Sequence, residues 1–389
     1  MFKIGILELH FHVKFLHTMM KICKMDETEI TIFTTEDLYK NLKPYLQDEE
    51  YRAIIKRNTE DTTSYLKRVE KICNDEIDLL FVNTIETSSL TIPPYLKFNP
   101  KTKKILTVHV LNHWLKSKFS INRKNIPRSF DTSASIYLIR NIVLPRFNAI
   151  NVLYPPMKNF VEKKTCYNKK VFTIPYLLRY KKKKDMETDV GERIKVILPG
   201  FVEPYRRDYK TALDVFKILF KYHGDKISLN LLGKPVGAGG ERIIERCKEM
   251  KRNGDNIYFS EGYVPEDVYD KTSAECDIIF SPMNVMTTRP SGINEIYGET
   301  ECSAIPFEAI QHCKPLIVPE GFNVLDEMKS STLIYKDSNE LNKIFLKMIM
   351  DRKRLAELKK EAVKNSENFS LEKGQEYFKE NILFKLDEL

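Results

Sequence analysis

The stretch from Glu299 to Pro319 contains the residue types whose spacing points most directly to chemistry. Its sequence, ETECSAIPFEAIQHCKPLIVP, predicts a loop, a short helix, a turn and then a buried strand. We expect the helix to begin near Cys302 and Ser303, where free N–H groups and the positive end of the helix dipole favour a phosphate. Glu308 lies about one and a half turns further along. Its carboxylate is therefore suited to accept hydrogen bonds from a ribose diol.

Two adjacent cations, Arg206 and Arg207, precede a second predicted helix. Positive side chains at a helix start oppose the helix dipole. That conflict disappears if the guanidinium groups bind a diphosphate, which they can do bidentately. Gly200 opens the same loop. We therefore predict that both arginines bind and neutralise a diphosphate.

Further candidate binding residues follow the next two predicted strands. Gly233 and Lys234 follow one of them. Glycine lets the backbone approach a ligand closely, and the lysine ammonium is long enough to reach a phosphate. Tyr263 and Val264 follow the other strand, in a Gly-Tyr-Val-Pro turn. The order of these residues ahead of Glu308 predicts that they belong to one binding site.

Histidines mark the ends of two strands predicted for the first half of the chain. His10 and His12 follow the first strand. His109 ends a later strand and is followed by His113 and Trp114. A His-x-His after a first strand is also how metal-dependent barrel hydrolases of the amidohydrolase type begin. That alternative needs further ligands at later strand ends, and it stays open at this stage.

Most of the candidate residues lie at or shortly after short aliphatic or β-branched runs that alternate with helical patterns. Near-continuous apolar runs separated by helices are typical of parallel strands that are buried on both faces. The predicted strands are residues 3–9, 29–35, 78–84, 104–110, 149–154 and 170–176 in the first half, and 194–200, 227–233, 257–264, 276–281, 315–319 and 332–335 in the second. Two such sets predict an α/β protein with two doubly wound, Rossmann-like domains.

Residues 181–189 are polar and lack periodicity, so they are the predicted linker between the domains. We predict a first domain over 1–184, a second over 185–370 and a C-terminal helix over 371–389. Ligands of doubly wound sheets bind beyond the carboxyl ends of the strands. The candidates that follow the predicted strands lie at those positions.

The segment around Glu308 resembles the nucleotide-sugar site of GT-B glycosyltransferases, in particular the retaining GT4 family. That family has a Pro-Leu-Glu-Ala motif followed by a Gly-Lys-Pro turn, and the likeness extends from about Ile194 to Glu320. It implies a GT-B fold, in which two Rossmann-like domains face an interdomain cleft and the last helix crosses back onto the first domain. It also implies that 1–184 serves the acceptor and 185–370 the donor.

The resemblance assigns roles to the candidate residues. Arg206 and Arg207 would neutralise the leaving diphosphate, Glu308 would hold the ribose, and His109 would orient the sugar near the reacting carbon. The other donor-binding candidates are Gly200, Gly233, Lys234, Tyr263, Val264, Thr300, Ser303 and Ala304, of which the turn at Tyr263 and Val264 would hold the base through its backbone. The acceptor-side candidates are His10, His12, His113 and Trp114.

The chain departs from the family pattern at three places. The family has two glutamates with seven residues between them, but the position before Glu308 that should hold the first is Thr300. We take the neighbouring Glu301 as the candidate catalytic glutamate. Phe201 stands where the family often has arginine, and the loop after the first strand lacks the usual glycines.

The predicted activity is transfer of a sugar from a nucleoside diphosphate sugar to a hydroxyl acceptor, with retention and without a metal or other cofactor. The sequence contains no Asp-x-Asp of the kind that metal-dependent glycosyltransferases use. Three alternatives remain: a nucleotide-sugar epimerase of the same fold, the His-x-His metal hydrolase, and a catalytically inactive sugar-nucleotide-binding protein. The last is suggested by Thr300 at the expected glutamate position.

The charge of the chain is concentrated in one region. The formal net charge is +9, and residues 101–184 contain 20 lysines and arginines against only Asp131 and Glu162. Such an excess suits an anionic membrane surface or a phosphorylated acceptor, whereas no recognised motif predicts nucleic-acid binding. Seven cysteines without paired spacing and no apolar run of about 20 residues predict a cytoplasmic protein, peripheral to a membrane if the basic region binds one.

Overall fold

The computed structural model describes residues 1–46, 51–86, 91–116, 133–179, 191–289 and 292–389. The predicted linker 181–189 and part of the basic region 101–184 lie outside these residues. The chain forms two compact units. The first comprises Met1–Leu178, Thr288–Cys302 and Leu371–Leu389, and the second comprises Arg179–Thr287 and Ser303–Ser370.

The first unit contains a parallel sheet whose strands lie in the order β3-β2-β1-β4-β5-β6-β7. Its strands are β1 (Phe2–Leu7), β2 (Thr28–Thr35), β3 (Arg52–Lys56), β4 (Leu79–Val82), β5 (Lys103–Thr107), β6 (Ala149–Val152) and β7 (Lys170–Thr173). Its helices are α1 (Val13–Cys23), α2 (Glu36–Leu46), α3 (Thr62–Glu76), α4 (Ile92–Lys97) and α5 (Pro155–Lys164), with shorter turns at Asn112–Lys116, Ile139–Val143 and Leu144–Arg146.

The second unit contains another parallel sheet, in the order β10-β9-β8-β11-β14-β15. Its strands are β8 (Ile194–Pro199), β9 (Ile227–Leu232), β10 (Ile257–Phe259), β11 (Ile278–Phe280), β14 (Leu316–Pro319) and β15 (Thr332–Tyr335). Its helices are α6 (Tyr209–His223), α7 (Gly237–Arg252), α8 (Glu266–Glu275), α9 (Ile305–Gln311), α10 (Ser338–Met350) and α11 (Arg352–Ser366), with 3-10 turns at Asp326–Ser331 and Glu367–Phe369.

Each sheet winds outward from a central strand, and the point of reversal determines where a ligand can bind. In the first sheet β1 pairs with both β2 and β4, so the winding direction reverses between β1 and β4. In the second, β8 pairs with β9 and β11. Open α/β sheets bind ligands beyond the carboxyl ends of the strands at such switch points. A ligand is therefore expected at the chain segments that follow β1, β4, β8 and β11.

Aliphatic strands and amphipathic helices build the cores. The centre of the second unit is aromatic: the ring of Phe216 in α6 lies 4.9 Å from that of Phe345 in α10, and Phe280 of β11 lies 5.6 Å from Phe345. All three side chains are fully buried. The described helices include none with both the length and the apolar character needed to cross a membrane.

The doubly wound architecture predicted from the sequence is confirmed, since each predicted strand is present with ends that differ by a few residues. The strand β3 was not predicted, because its edge position leaves only a short apolar run between charged residues. The hairpin of β12 (Met286–Thr288) and β13 (Asn294–Ile296) was also missed. Its three-residue strands contain no apolar run that could distinguish them from a loop.

The C-terminal segment packs on the first unit, as predicted. It consists of α12 (Leu371–Phe378) followed by turns at Lys379–Leu383 and Leu386–Glu388. The Phe378 ring lies 6.0 Å from that of Phe81 in β4, and the Gln375 amide donates to the Lys21 and Lys24 carbonyl oxygens near the end of α1. Residues 288–302 also pack with the first unit, although the predicted boundaries place them in the second domain.

Candidate functional site

The turns that follow β8 and β9 touch through their backbones next to the switch point of the second sheet, which lies between β8 and β11. A Cβ placed on Gly233 would lie 2.3 Å from the carbonyl oxygen of Gly200, which no side chain tolerates. Gly200 has a φ of +91°, in the left-handed region that favours glycine. Both predicted glycines are therefore required by the local geometry, and they keep side chains away from this edge of the sheet.

The Arg207 side chain stabilises the loop after β8 by hydrogen bonds within that loop. Its Nη1 donates to the carbonyl oxygens of Gly200 and Phe201 and to the hydroxyl of Tyr209, each at 3.1 Å. Part of the hydrogen-bonding capacity predicted for a diphosphate is thus used within the loop. The Arg206 side chain is 43% exposed and lies 3.9 Å from a carboxylate oxygen of Glu203. Both arginines are half-buried, and Arg207 is the one whose guanidinium bonds the backbone of its own loop.

Lys234 brings a second cation to the same loop. Its side chain is exposed, and its Nζ lies 5.5 Å from the ring centroid of Phe201, within range of a cation–π contact. The Phe201 ring is itself 51% exposed. Phe201 stands where the GT4 family often has arginine, and here it supports a lysine ammonium beside the Gly200 turn.

The helix that carries Glu308 begins later than predicted. We expected its start near Cys302 and Ser303, but α9 begins at Ile305, with Ala304 as the N-cap residue. The Ser303 hydroxyl accepts the Ile305 N–H at 3.3 Å, whereas Cys302 packs with the first unit through its N–H to the His109 carbonyl oxygen. The chain before Ser303 is therefore bound elsewhere and cannot extend the helix.

Glu308 lies in an almost fully buried position, with a side chain that is 6% exposed. Tyr269 of α8 connects it to the loop after β8. Burial raises the pKa of Tyr269 well above its ordinary value, the Glu308 carboxylate adds to the rise, and the Arg207 guanidinium opposes it. One phenol thus lies within electrostatic reach of both charged groups, and all three residues belong to the second unit.

Two more side chains that the sequence analysis did not select, Asp270 and His312, lie beside Glu308. The Nε2 atom of His312 is 3.5 Å from Oε2 of Glu308 and 3.9 Å from Oδ1 of Asp270. The four-residue spacing of Glu308 and His312 puts both on one face of a helix and was a readable signal. Tyr269 and Asp270 carried no comparable signal, because only the tertiary structure brings α8 next to α9.

Tyr263 and Val264, predicted to lie at the nucleotide base, follow β10. The Tyr263 ring is 66% exposed and its hydroxyl donates to Oε1 of Glu266 at 3.4 Å. Val264 is half-buried. Both precede α8, the helix of Tyr269 and Asp270, so they lie in the second unit together with Glu308 and the loop after β8.

Thr300 and Glu301 lie in the first unit, although they were predicted as donor-site residues of the second domain. The Thr300 hydroxyl accepts the N–H of Ile296 at 2.8 Å, and its carbonyl oxygen accepts the N–H of Leu111 at 2.7 Å. Glu301 is almost buried, and its Oε1 lies 2.5 Å from Nη2 of Arg289. Arg289, which the sequence analysis missed, therefore neutralises the predicted catalytic glutamate.

Three predicted histidines meet at the switch point of the first sheet. The rings of His12 and His109 stack with centroids 4.5 Å apart and an interplanar angle of 8°. Nε2 of His109 lies 3.0 Å from the carbonyl oxygen of Asn83, which accepts but cannot donate. That nitrogen therefore carries the proton, and Nδ1 is an acceptor. His10 precedes them in the loop after β1, with its Nδ1 3.6 Å from Glu86.

Burial keeps these imidazoles neutral. It lowers the pKa of His109 to about 4 and that of His12 well below its ordinary value, with further lowering by His109 and His10. Glu8, at the end of β1, is fully buried, and burial raises its pKa to about 7. Neutral rings of this kind can orient hydroxyl groups by hydrogen bonding, but they cannot supply a positive charge.

The neighbouring Asn83 was missed by the sequence analysis because a single asparagine after a strand is not distinctive. It is fully buried, and neither polar atom of its side-chain amide has a hydrogen-bond partner among the described residues. Its carbonyl oxygen bonds His109. An amide that is left to pair with a ligand is consistent with a polar-ligand site at this edge of the sheet.

The other two acceptor-side candidates, His113 and Trp114, lie in the turn after β5, whereas His10 and His12 lie in the loop after β1. His113 and Trp114 are buried there, 5% and 4% exposed. Oε1 of Glu295, in β13, accepts the His113 N–H at 2.7 Å. Burial, with Arg289 contributing, lowers the pKa of His113 to about 4. These contacts fix the hairpin against the turn, and an acceptor-binding role for the two residues stays a prediction.

Metal-ligand groups give no support to the hydrolase alternative. Within the described residues, the group of three or more His, Cys, Asp or Glu ligand atoms that lie within 4.8 Å of one another is Asp270, Glu308 and His312. That group includes neither His10 nor His12. In addition, the parallel sheets of the two units are open and do not form the barrel of such hydrolases.

No protein-family model and no curated protein matches the sequence. Solved structures do match over the full length. HepE from Anabaena, in complex with UDP and glucose, has a TM-score of 0.64 at 14% identity, with 100% of both chains covered. Sucrose-phosphate synthase from Thermosynechococcus elongatus has a TM-score of 0.62 at 12% identity, with 100% of this chain and 99% of that chain covered.

A glycosyltransferase from Rickettsia africae is similar as well, with a TM-score of 0.60 at 13% identity over 98% of this chain and 99% of that chain. At such low identity the likeness establishes the fold and leaves the activity to be argued from the site. Together with the two parallel-sheet units, it confirms the fold predicted from the sequence: the chain has the GT-B fold of two Rossmann-like domains.

Proposed function

We propose that the protein is a glycosyltransferase that moves a sugar from a nucleoside diphosphate sugar to a hydroxyl acceptor. The observation that supports this most is the close approach of the Gly200 and Gly233 turns beside a cationic loop, in the same unit as the buried Glu308. A cationic loop suits the phosphates of a nucleoside diphosphate, and a buried carboxylate suits its ribose. Similar solved structures contain UDP, which makes UDP the first nucleotide to test.

In this proposal the second unit binds the donor. Arg206 and Lys234 neutralise the leaving diphosphate, while Arg207 holds the turn that presents them. Gly200 and Gly233 let that diphosphate approach the backbone. Glu308 accepts hydrogen bonds from the ribose hydroxyls, and the turn at 263–264 contacts the base. The catalytic contribution of such a site is positioning and neutralisation of the charge that develops on the leaving group.

The first unit contributes neutral polar groups. His109 has a protonated Nε2 fixed by Asn83 and an acceptor at Nδ1, which suits it to orient hydroxyl groups of the transferred sugar. His10 and His12 are assigned to the acceptor side. Glu301 keeps its assignment near the donor sugar, as a carboxylate held by Arg289. Retention of configuration and independence from metal ions are supported by the GT4 resemblance and by the cations of the loop after β8.

Binding of nucleoside diphosphates tests the donor site. A thermal-shift panel of UDP, GDP, ADP and their glucose conjugates should contain at least one stabilising ligand, since a ligand at a hundred times its Kd adds roughly 2.7 kcal/mol to stability. Isothermal titration calorimetry should then give one site per chain. If no nucleoside diphosphate or its sugar conjugate stabilises the protein, the donor-site assignment fails.

Turnover separates transfer from the other activities that share this fold. With the donor identified, the free nucleoside diphosphate should be released faster when a hydroxyl acceptor is added. An epimerase would instead interconvert two nucleotide sugars without an acceptor, and an inactive binding protein would do neither. Turnover should persist in EDTA. Its loss in EDTA and recovery with a divalent ion would overturn the metal-independent mechanism.

A further inference from the structure

The side chains of Asp270, Glu308 and His312 converge where α8 lies beside α9. Each offers one ligand atom, and the three atoms lie within 4.8 Å of one another. Glu308 and His312 are almost fully buried, with side chains 6% and 4% exposed, whereas that of Asp270 is 31% exposed. The cluster therefore has two buried members and one half-buried member, which leaves it partly open to solvent on the Asp270 side.

The distances within this cluster are long for hydrogen bonds. His312 Nε2 lies 3.5 Å from Glu308 Oε2 and 3.9 Å from Asp270 Oδ1, while good N–H···O bonds measure about 2.7–3.2 Å. They fit a bridging cation better. Two ligand atoms bound at about 2.0–2.2 Å in a tetrahedral site lie roughly 3.3–3.6 Å apart. The 3.5 Å between His312 and Glu308 already fits that geometry, and the more exposed Asp270 would complete it by moving toward the other two ligand atoms.

His312 supplies a second and independent observation. Neither nitrogen of its buried ring has a hydrogen-bond partner among the described residues. Buried polar atoms that are left without a partner are uncommon in folded proteins and call for a ligand, an ion or a water. An imidazole nitrogen that faces two carboxylates is suited to the first or second of these, because neutral imidazole is the commonest metal ligand in proteins.

We propose that Asp270, Glu308 and His312 form a binding site for one divalent transition metal ion of the zinc type. One imidazole nitrogen and two carboxylate oxygens are ligands that Zn²⁺ accepts in a four-coordinate site, and water takes the fourth position. Mg²⁺ is a poor fit, since it prefers six oxygen ligands in octahedral geometry. The site is separate from the His-x-His pair of the first unit.

The ion would occupy the carboxylate that the proposed function assigns to the ribose. Zinc and nucleotide therefore compete for Glu308, and zinc acts as an inhibitor that is not needed for turnover. This consequence rests on the proposed function, whereas metal binding itself does not. By linkage, each ligand must weaken the other by the same factor.

Metal binding is tested on the full-length protein with Zn²⁺ alone. After chelator treatment and dialysis, calorimetry should show one Zn²⁺ per chain, and Co²⁺ substitution should give the visible absorption of a four-coordinate site. His312→Gln and, separately, Asp270→Asn should each weaken binding by more than about tenfold, the loss already produced when outer-shell partners of a metal are removed. Asp270→Asn also covers the case that the buried His312 variant fails to fold.

Two controls isolate the site. Asp267→Asn removes an exposed carboxylate from the same helix, and His10→Gln removes part of the His-x-His pair. Both should bind Zn²⁺ as the unmodified protein does. No stoichiometric zinc in the unmodified protein, or equal zinc binding in the His312→Gln and Asp270→Asn variants, would overturn the proposal.

Competition separates a failure of this proposal from a failure of the proposed function. Zn²⁺ should raise the apparent Kd for the nucleotide in the unmodified protein and lose this effect in Asp270→Asn. Zinc binding without any nucleotide binding contradicts the proposed function and leaves the metal site standing. Nucleotide binding that is unaffected by saturating zinc contradicts the competition, and the absence of zinc binding contradicts the site.

Discussion

Glu308 combines two properties that a surface glutamate lacks. Its side chain is almost fully buried, and it lies within electrostatic reach of Tyr269. The pKa of Tyr269 is also influenced by Arg207. Hydrogen bonds to a charged group in a dry position contribute more to binding than the same bonds in water. A ribose bound by this carboxylate would therefore gain specificity as well as affinity.

Glu308→Gln should weaken binding of the nucleoside diphosphate without loss of the fold. The amide keeps the shape of the side chain but removes the charge and one of its acceptor oxygens. We expect a cost of about 1.5–3 kcal/mol, which is roughly a 10- to 150-fold increase in Kd by calorimetry. Glu327→Gln, at an exposed position of the same unit, is the control and should leave the Kd unchanged. An unchanged Kd for Glu308→Gln would remove this residue from the site.

Glu8 makes stability depend on pH. Burial raises its pKa from 4.5 to about 7, so the folded protein binds more protons than the unfolded chain between these two values. The free energy of unfolding should therefore fall as pH rises through this interval, by up to about 1.4 kcal/mol per pH unit. His109 and His113, whose pKa values burial lowers from 6.5 to about 4, work in the opposite direction and partly mask it.

Comparison with Glu8→Gln reveals the contribution of Glu8. The variant keeps a neutral side chain at every pH, so its stability relative to the unmodified protein should increase as pH rises from about 4.5 to 7. Denaturant unfolding at several pH values measures the difference. Glu29→Gln, at an exposed position of β2, controls for the loss of a surface charge. A difference that does not change with pH would show that Glu8 titrates as an ordinary carboxyl.

At the scale of single residues, the sequence predicted those residues whose position relative to a neighbouring strand is fixed. Glu308, Gly200 and Gly233 were recognisable because a turn glycine or a helical glutamate keeps its position relative to the next strand. The partners Arg289 for Glu301 and Asn83 for His109 were not recognisable. Each pair joins residues from different elements, so only the packed structure shows the contact.

At the scale of elements, the two turns after β8 and β9 act as one unit. Gly233→Ala would place a Cβ 2.3 Å from the Gly200 carbonyl oxygen and 2.5 Å from its carbonyl carbon. Both atoms belong to the backbone, so they cannot rotate away as a side chain could. We expect destabilisation by about 1–3 kcal/mol, typical of overpacked sites, and a loss of nucleotide affinity because the Gly200 turn must move. Thermal unfolding and calorimetry measure the two effects.

Gly191→Ala is the matched control for that change. It lies before β8 in the same unit, and a Cβ there meets nothing within 4 Å. The variant should therefore keep both stability and nucleotide binding. Equal behaviour of the two alanine variants would mean that the contact between Gly200 and Gly233 does not shape the donor site.

Most elements could be predicted because buried parallel strands are continuous apolar runs. The hairpin of β12 and β13 could not. Its residues are mostly polar, and its position depends on Glu295, whose carboxylate accepts the N–H groups of Asn112 and His113. A contact between one buried carboxylate and two distant backbone N–H groups leaves no periodic pattern in the sequence. For the same reason the assignment of Thr300 and Glu301 to the first unit was not foreseen.

At the scale of the whole molecule, the uneven charge predicts attachment to an anionic lipid surface. The protein should co-sediment with vesicles that contain anionic lipids and release from them as salt rises, since the screening length falls to about 8 Å at physiological ionic strength. Each exposed basic residue near such a surface contributes about 1 kcal/mol. Neutral vesicles should not bind the protein.

Charge reversal at described positions of the basic region tests which surface is involved. Arg140→Glu combined with Lys163→Glu should weaken attachment to anionic vesicles, because both side chains are exposed. Lys221→Glu combined with Lys226→Glu changes the same charge at exposed positions of the second unit and should have less effect. Failure to bind anionic vesicles at low salt would leave the basic region as a solvated face and favour a soluble acceptor.

The chain completes its two units in an order opposite to the order in which it starts them. Residues 371–389 pack on the first unit, with Gly374 lying against Ile22 and Leu178, so that unit is complete only when the last of them has been synthesised. The second unit needs nothing beyond Ser370. At about 5–20 residues per second, residues 1–178 wait on the ribosome for roughly 10–40 seconds with an apolar face uncovered. We expect such a chain to depend on chaperones during synthesis more than its stability once folded would suggest.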